Sequence, residues 1–166
     1  MTNLTTDVAI IMGSDSDLPI VEASFTILDS FGVNYTKNVM SAHRTPHEVM
    51  ELIKTSEKNG CKVFIAAAGM AAHLAGAVAA HSTRPVIGIP IESGGMGGMD
   101  SLLSTAMMPP GVPVATVAVG KAGAKNSAIL AVQILATSDD ALAAKLSEYK
   151  SNMRDEVIKK DQALNS

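Results

Sequence analysis

The stretch VAIIMGSDSDLPIVEASFTILDSFG, residues 8–32, decides the fold. Val8 to Met12 form an unbroken apolar run, the pattern of a strand covered on both faces, and Gly13-Ser14-Asp15-Ser16-Asp17 then turns the chain. Asp17 and Pro19 open a helix in which Ile20, Val21, Ser24, Ile27, Leu28 and Phe31 recur at helical spacing. Gly32 supplies the left-handed position that ends it.

The unit repeats along the chain. A strand is predicted over 33–39, then a loop of Ser41-Ala42-His43-Arg44, and Thr45-Pro46-His47-Glu48 has capping-box spacing with proline at the first helical position. Val49, Leu52, Ile53 and Ser56 line the inner face of that helix and Gly60 closes it. A third strand over 63–67 is broken by Gly69, and a helix of small residues carries His73 toward His81. A fourth strand begins at Pro85, and a glycine-rich loop follows over 92–98. Leu102, Leu103 and Met107 mark a short helix, with a fifth strand predicted over 114–119 and a further helix over 126–136. Alternation of this kind predicts an α/β three-layer sandwich, a flavodoxin-like parallel sheet with flanking helices, because right-handed crossovers join successive parallel strands.

The segment 138–162 reads as a charged, protruding C-terminal helix. Its apolar stripe of Leu142, Leu146, Tyr149, Met153 and Val157 is too narrow for full burial in its own domain and predicts packing on a neighbouring subunit. The expectation is one domain over 1–166, with 138–162 as an oligomer-packing helix. Composition agrees. Hydrophobic residues make up 47% against 17% charged, enough for a core, yet 13 glycines, no tryptophan and 3% aromatics leave a small monomer short of bulk. Self-association is the expected supplement.

A net charge of −3 and the lack of a basic run exclude the electrostatic footprint of a nucleic-acid or anionic-membrane binder. The apolar run over 63–80 is mostly alanine and glycine with His73 inside it, and reads as a buried strand and helix rather than a membrane span. Cys61 has no partner for a disulfide, and the opening MTNLTTDVAII lacks the basic flank of a secretory signal. The expected location is the cytoplasm.

In an open parallel sheet ligands bind beyond the carboxyl ends of the strands, which selects the loops at 13–17, 41–44, 68–73 and 92–98. His81, Thr83 and Arg84 fall at the opposite edge. The serine-rich turn at 13–17 reads either as an ordinary aspartate-capped turn or as a phosphate cradle at a helix start. Arg44, beside a second helix start, tips the balance toward phosphate, which a guanidinium grips in bidentate fashion. Asp15 and Asp17 would repel a phosphate, so one of them faces sugar hydroxyls. Phosphate plus ribose means a nucleotide-like ligand, although neither G-x-G-x-x-G nor G-K-[ST] is present.

His43 and His47 are four apart, but Pro46 between them starts the helix and no Cys or carboxylate completes a ligand set, so no metal site is expected. His43 and His73 both leave site-side loops, and their convergence with Arg44 and the serine turn makes them the candidates for chemistry. Ser14, Ser16 and Ser41 lack the G-x-S-x-G elbow of a serine hydrolase. Cys61, at the amino-terminal edge of its strand, reads as a packed thiol. Met96, Met99, Met107 and Met108 read as adaptable packing at a loop or subunit contact.

Four motifs now stand in order: Gly13-Ser14-Asp15-Ser16-Asp17, Ser41-Ala42-His43-Arg44-Thr45-Pro46, Ala68-Gly69-Met70-Ala71-Ala72-His73-Leu74, and Asp100-Ser101-Leu102-Leu103-Ser104 with Met108-Pro109 and Gly111-Val112-Pro113-Val114. In order and spacing, from about residue 8 to 136, they closely resemble the class I N5-carboxyaminoimidazole ribonucleotide mutases of purine biosynthesis. The resemblance implies an isomerase without metal or cofactor. It moves a carboxylate from the exocyclic nitrogen of an aminoimidazole ribonucleotide to the adjacent ring carbon. It places Ser14, Ser41 and Arg44 on the phosphate, with Ser16 and Ala42 in the same substrate-binding turns, and Asp17 on the ribose hydroxyls. His43 would be the proton carrier, His73 the second catalytic position, and Gly69, Ala71 and Leu74 would enclose the reacting group with it. It also implies a homo-octamer with swapped C-terminal helices.

Ala75-Gly76 stands where the family usually has Pro-Gly, and the loop at 93–98 is richer in glycine than is common. Arg44-Thr45 after His43 resembles the mutases, since related carboxylases that use free carbon dioxide tend to carry Lys-Gly there. The residue types suit the chemistry. A carbamate loses carbon dioxide, the ring carbon attacks it, and that carbon then loses a proton, so acid and base are needed in one cycle. An imidazole, titrating near about 6.5, can serve as both. Glycine and alanine let the walls close over a small gas molecule. Two alternatives stand beside this reading: direct carboxylation of aminoimidazole ribonucleotide, and a flavodoxin-like nucleotide-binding module without chemistry.

Overall fold

Strands that read as continuous apolar runs must be covered on both faces, and the sheet meets that demand. A computed structural model describes residues 6–165. Its strands are β1 (Val8–Met12), β2 (Tyr35–Val39), β3 (Val63–Gly69), β4 (Val86–Ile91) and β5 (Ala115–Thr116), all parallel, in the order β2-β1-β3-β4-β5. The helices are α1 (Leu18–Phe31), α2 (Pro46–Lys58), α3 (Leu74–His81), α4 (Met99–Ala106), α5 (Lys121–Ala136) and α6 (Asp140–Leu164). The order reverses at β1, which leaves a crevice between the loops that follow β1 and β3.

Alternate residues of the central strands feed two cores. Val8, Ile10, Met12, Ile65 and Ile89 meet Val21, Phe25 and Leu28 of α1 and Ala124, Ala128 and Val132 of α5. Ala9, Ile11, Phe64 and Ala66 meet Val49 and Ile53 of α2 and Leu74 and Val78 of α3. This is the expected three-layer α/β sandwich. Small residues let α1 and α5 approach closely: Ser24 and Ser127 are fully buried, and each hydroxyl donates to the Ala124 carbonyl at 2.8 Å. No described helix is long and apolar enough to cross a membrane. The first five residues, the beginning of the segment read as lacking a secretory flank, lie outside the described residues.

Several boundaries differ from expectation for identifiable reasons. β2 begins at Tyr35 because Val33 N–H closes the end of α1 on Leu28 O. β3 continues to Gly69 rather than breaking before it. β5 shrinks to two residues because Pro90 of the neighbouring strand has no amide hydrogen to offer. The chain beyond β5 instead donates to β4, Val117 N–H to Gly88 O and Gly120 N–H to Pro90 O. The capping box expected at Thr45 does not form. Thr45 Oγ1 is held by Ser41, accepting its N–H at 2.9 Å and donating to its carbonyl at 3.0 Å. The box sits at the first turn instead, where Ser14 Oγ accepts the Ser16 N–H and Asp17 accepts the Ser14 N–H.

The apolar stripe of α6 splits. Leu146 is buried, Leu142 and Tyr149 pack beside it against the chain's own core, and the Tyr149 and Phe31 rings lie 5.6 Å apart. Lys145 Nζ donates to Phe31 O at 2.9 Å. Met153 and Val157, 52% and 65% exposed, touch no such surface, so the first half of the stripe belongs to this domain and only the second is left for another.

Gly123, at the start of α5, lies so close to Ala118 that an added Cβ would stand 1.6 Å from its carbonyl oxygen. Gly123→Ala is expected to destabilise the fold by about 1–3 kcal/mol or more, read as a lowered denaturation midpoint, because backbone rather than a flexible side chain must move.

Candidate active site

Three loops converge over the end of β1. In the first, Gly13 N–H donates to Ala67 O and fixes the turn against β3. Ser14 Oγ accepts from Ser16 Oγ at 2.8 Å and lies 3.1 Å from Asp15 Oδ1. The buried Asp17 carboxylate accepts the Ser14 N–H at 3.1 Å. Burial pushes the Asp17 carboxyl above the usual carboxylate range. The Ser14 N–H opposes that rise, and the negative charge of Asp15 adds to it.

The second loop folds on a serine hydroxyl: Ser41 Oγ accepts from both His43 N–H and Arg44 N–H at 3.3 Å. Arg44 Nη2 then donates to Gly13 O at 2.8 Å and straps this loop to the first. The third loop leaves β3 through Met70, whose φ of 54° makes it the sole non-glycine in the left-handed region among the described residues. It brings the His73 Nδ1 to 2.7 Å from the His43 Nε2, with the rings edge-on at 4.8 Å between centroids. One of these two nitrogens donates and the other accepts, so the contact holds a single proton.

A fourth element closes the side. Ser93, just after β4, packs so tightly on Gly69 that an added Cβ there would meet Ser93 Oγ at 1.8 Å and Ile91 O at 3.1 Å. The resulting cavity of about 540 Å³ suits a small-molecule ligand. It is lined by the residues that the family resemblance assigns to catalysis or substrate binding: Ser14, Ser16, Asp17, Ser41, Ala42, His43, Arg44, Gly69, Ala71, His73 and Leu74. It also includes Gly13, Ala68, Met70 and Ser93, which sequence reading did not select. Ser93 was reachable in principle, as the one hydroxyl residue of the 92–98 loop already placed at the carboxyl edge. Met70 carried no signal, since its residue type argues against the conformation it adopts.

The remaining candidates lie apart. His47 is exposed on the first turn of α2, and His81, at the other edge, pairs with Ala77 O. Cys61 is fully buried, its thiol donating to Val63 O, and burial pushes it up to about 11, the environment of an inert packed thiol. Among the described residues no group of three or more His, Cys, Asp or Glu side chains could hold a metal ion. What the cavity offers is an anion-binding corner of hydroxyls, amides and Arg44, and a proton shared between two imidazoles.

Residues 7–156 match the model of the family described as AIR carboxylase. The chain belongs to the AIR carboxylase family. It is 50% identical over 157 residues to a protein of Bacillus subtilis named N5-carboxyaminoimidazole ribonucleotide mutase, covering 95% of this chain and 97% of that one. A Thermotoga maritima protein of the same name is 49% identical, covering 95% and 91%. The crystal structure of Treponema denticola PurE superposes with a TM-score of 0.87 at 30% identity, covering 96% of this chain and 98% of that one.

The raised Asp17 carboxyl has a sign that can be tested. Its charged form is disfavoured in the fold, so it costs stability at neutral pH, and the cost vanishes once the carboxyl is protonated in folded and unfolded states alike. Asp17→Asn is therefore expected to raise the melting temperature at pH 7, with the gain shrinking as pH falls through the carboxylate range. Melting curves across pH measure this directly.

Proposed function

We propose that this chain is an N5-carboxyaminoimidazole ribonucleotide mutase of purine biosynthesis, an isomerase, working with His43 as its proton carrier. The observation that carries the reading is the His43–His73 contact at 2.7 Å in a cavity that Ser14, Ser41 and Arg44 also line. Relatives that carry this name at 46–50% identity over nearly the whole chain support it.

The carboxylate-bearing nucleotide enters with its phosphate on Ser14, Ser41 and Arg44, beside Ser16 and Ala42, and its ribose hydroxyls on Asp17. Gly69, Ala71, His73 and Leu74 surround the base. Cleavage of the N–CO₂ bond leaves its electron pair on the exocyclic nitrogen, which takes a proton from His43. The ring carbon then bonds to the trapped carbon dioxide, and the proton on that carbon returns to His43. The cycle ends with the enzyme's proton count unchanged. His73 accepts from or donates to His43 at its far nitrogen and so holds the carrier in place between the two transfers. No cofactor enters this scheme.

Self-association belongs to the same reading. In the single chain both imidazoles are exposed, while trapping carbon dioxide calls for enclosure. Met70, Met96, Met99, Leu103 and Met107 are exposed on the β3–α3 turn, on the glycine-rich loop, and along and just after α4, and Met153, Val157, Ile158 and Leu164 are exposed along the far half of α6. Apolar surface of this extent supports burial against further copies, with a homo-octamer as the assembly and residues 138–162 as its packing helix. A single domain over 1–166 acting in the cytoplasm completes the proposal.

A second reading is direct carboxylation of aminoimidazole ribonucleotide, favoured by the description of the family itself as AIR carboxylase. Assaying the carbamate nucleotide alone against aminoimidazole ribonucleotide plus bicarbonate separates the two. Conversion of the first is expected, and turnover of the second only would overturn the mutase reading. In that assay His43→Asn is expected to abolish turnover while product nucleotide still binds, and Arg44→Ala to weaken binding by about 1.5–3 kcal/mol by calorimetry. Met153→Glu with Val157→Glu is expected to reduce the mass measured by light scattering, and an unchanged mass would remove the far half of α6 from the interface.

A further inference from the structure

The run Asp100-Ser101-Leu102-Leu103-Ser104 carries part of the family resemblance, yet none of it lines the cavity. Its place in the fold shows what it touches. Ser104, on α4, accepts the Ala72 N–H at its Oγ at 2.9 Å and donates to Asp100 O, one turn back, at 2.7 Å. Met70 O lies 3.4 Å from the same hydroxyl. A single side chain thus ties α4 to the turn leading from β3 into α3.

That turn needs holding. Met70 sits in the left-handed region, which a residue with a Cβ enters only at a cost. Ala72 is buried, 2% exposed, so without Ser104 its N–H would be a buried donor with no acceptor. The next residue is His73, whose own N–H returns to Ala71 O at 2.9 Å and whose ring meets His43. A displacement at Ala72 therefore passes directly to the imidazole contact.

We infer that Ser104 is a positioning residue: its hydroxyl holds the 70–73 turn in the shape that brings His73 Nδ1 against His43 Nε2. The consequence for turnover rests on the proton-carrier reading of that pair, whereas the geometric claim stands without it. Ser104 touches neither the cavity nor the serines and arginine assigned to phosphate, so its loss acts on the chemical step and spares binding.

The test compares wild type, Ser104→Ala and Ser104→Thr by steady-state kinetics and by crystal structures. Alanine keeps the helix and removes the hydroxyl, and threonine restores it. Ser104→Ala is expected to lose about 10- to 100-fold in kcat with KM within about 3-fold of wild type, as for a catalytic group displaced by around an ångström. Its crystal structure is expected to show the two imidazoles drawn out of hydrogen-bond contact, and Ser104→Thr to recover both properties. Wild-type kcat in Ser104→Ala, a reduced kcat with the imidazoles still in contact, or a folded Ser104→Thr that recovers neither property would overturn the inference. If wild type itself turns over neither substrate, the functional reading fails, and the imidazole separation in the crystals decides the inference by itself. Should Ser104→Ala yield only aggregate, Ser104→Cys, with a far weaker acceptor in the same volume, takes its place with the same readouts.

Discussion

The contact between His43 and His73 spans a gap that the sheet does not close by itself. Their loops leave β2 and β3, which are not neighbours, since β1 lies between them. Two strand spacings amount to about 10 Å, so the second and third loops must lean over the end of β1 to bring ring nitrogens to 2.7 Å. Gly13 makes that possible. It ends β1 without a side chain, gives its N–H to Ala67 on one side and its carbonyl to Arg44 on the other, and so is the point across which both loops are tied. The strand order, the serine turn on Ser41 and the left-handed Met70 all matter to the site through this crossing.

Much of the architecture was legible because its cause is local. A covered strand needs an apolar run and a helix facing a core needs helical spacing, so β1, α1, the inner face of α2 and the layered α/β sandwich could be read from residue order. What could not be read depends on a neighbour across the sheet. β5 is short because Pro90, one strand away, withholds a donor, and Thr45 fails to cap α2 because Ser41 claims its hydroxyl first. The split of the α6 stripe follows from Phe31, more than a hundred residues earlier, receiving Tyr149 and Lys145.

The site was legible by another route. Strand polarity alone sorted the loops, which placed His43, Arg44 and His73 at one edge and His81 and Cys61 at the other, and the cavity lining follows that division. Strand polarity does not give strand order, so the meeting of the two imidazoles stood as an expectation until β1 was seen between β2 and β3. Ser93 and Met70 escaped for opposite reasons. Ser93 was hidden among glycines that drew attention to loop conformation, and Met70 occupies a conformation its side chain resists.

Rigidity in this cavity comes from hydrogen-bonded turns, not from bulk. A chain with 3% aromatic residues has few large side chains with which to wedge loops in place. Instead each site loop is closed by a short polar contact: Ser14 with Asp17, Ser41 with the amides of His43 and Arg44, and Ser104 with Ala72. The one close steric contact, Ser93 on Gly69, works because a glycine leaves room for it. Turns built this way occupy little volume, so they can surround a ligand closely without filling the cavity of about 540 Å³. They also concentrate dependence on single atoms, because a hydroxyl that holds a turn has no neighbour able to replace it. Strain at Met70 survives under that arrangement: its turn is fixed at Gly69 by packing and at Ala72 by a hydrogen bond, and Met70 takes up the left-handed conformation between those two fixed points.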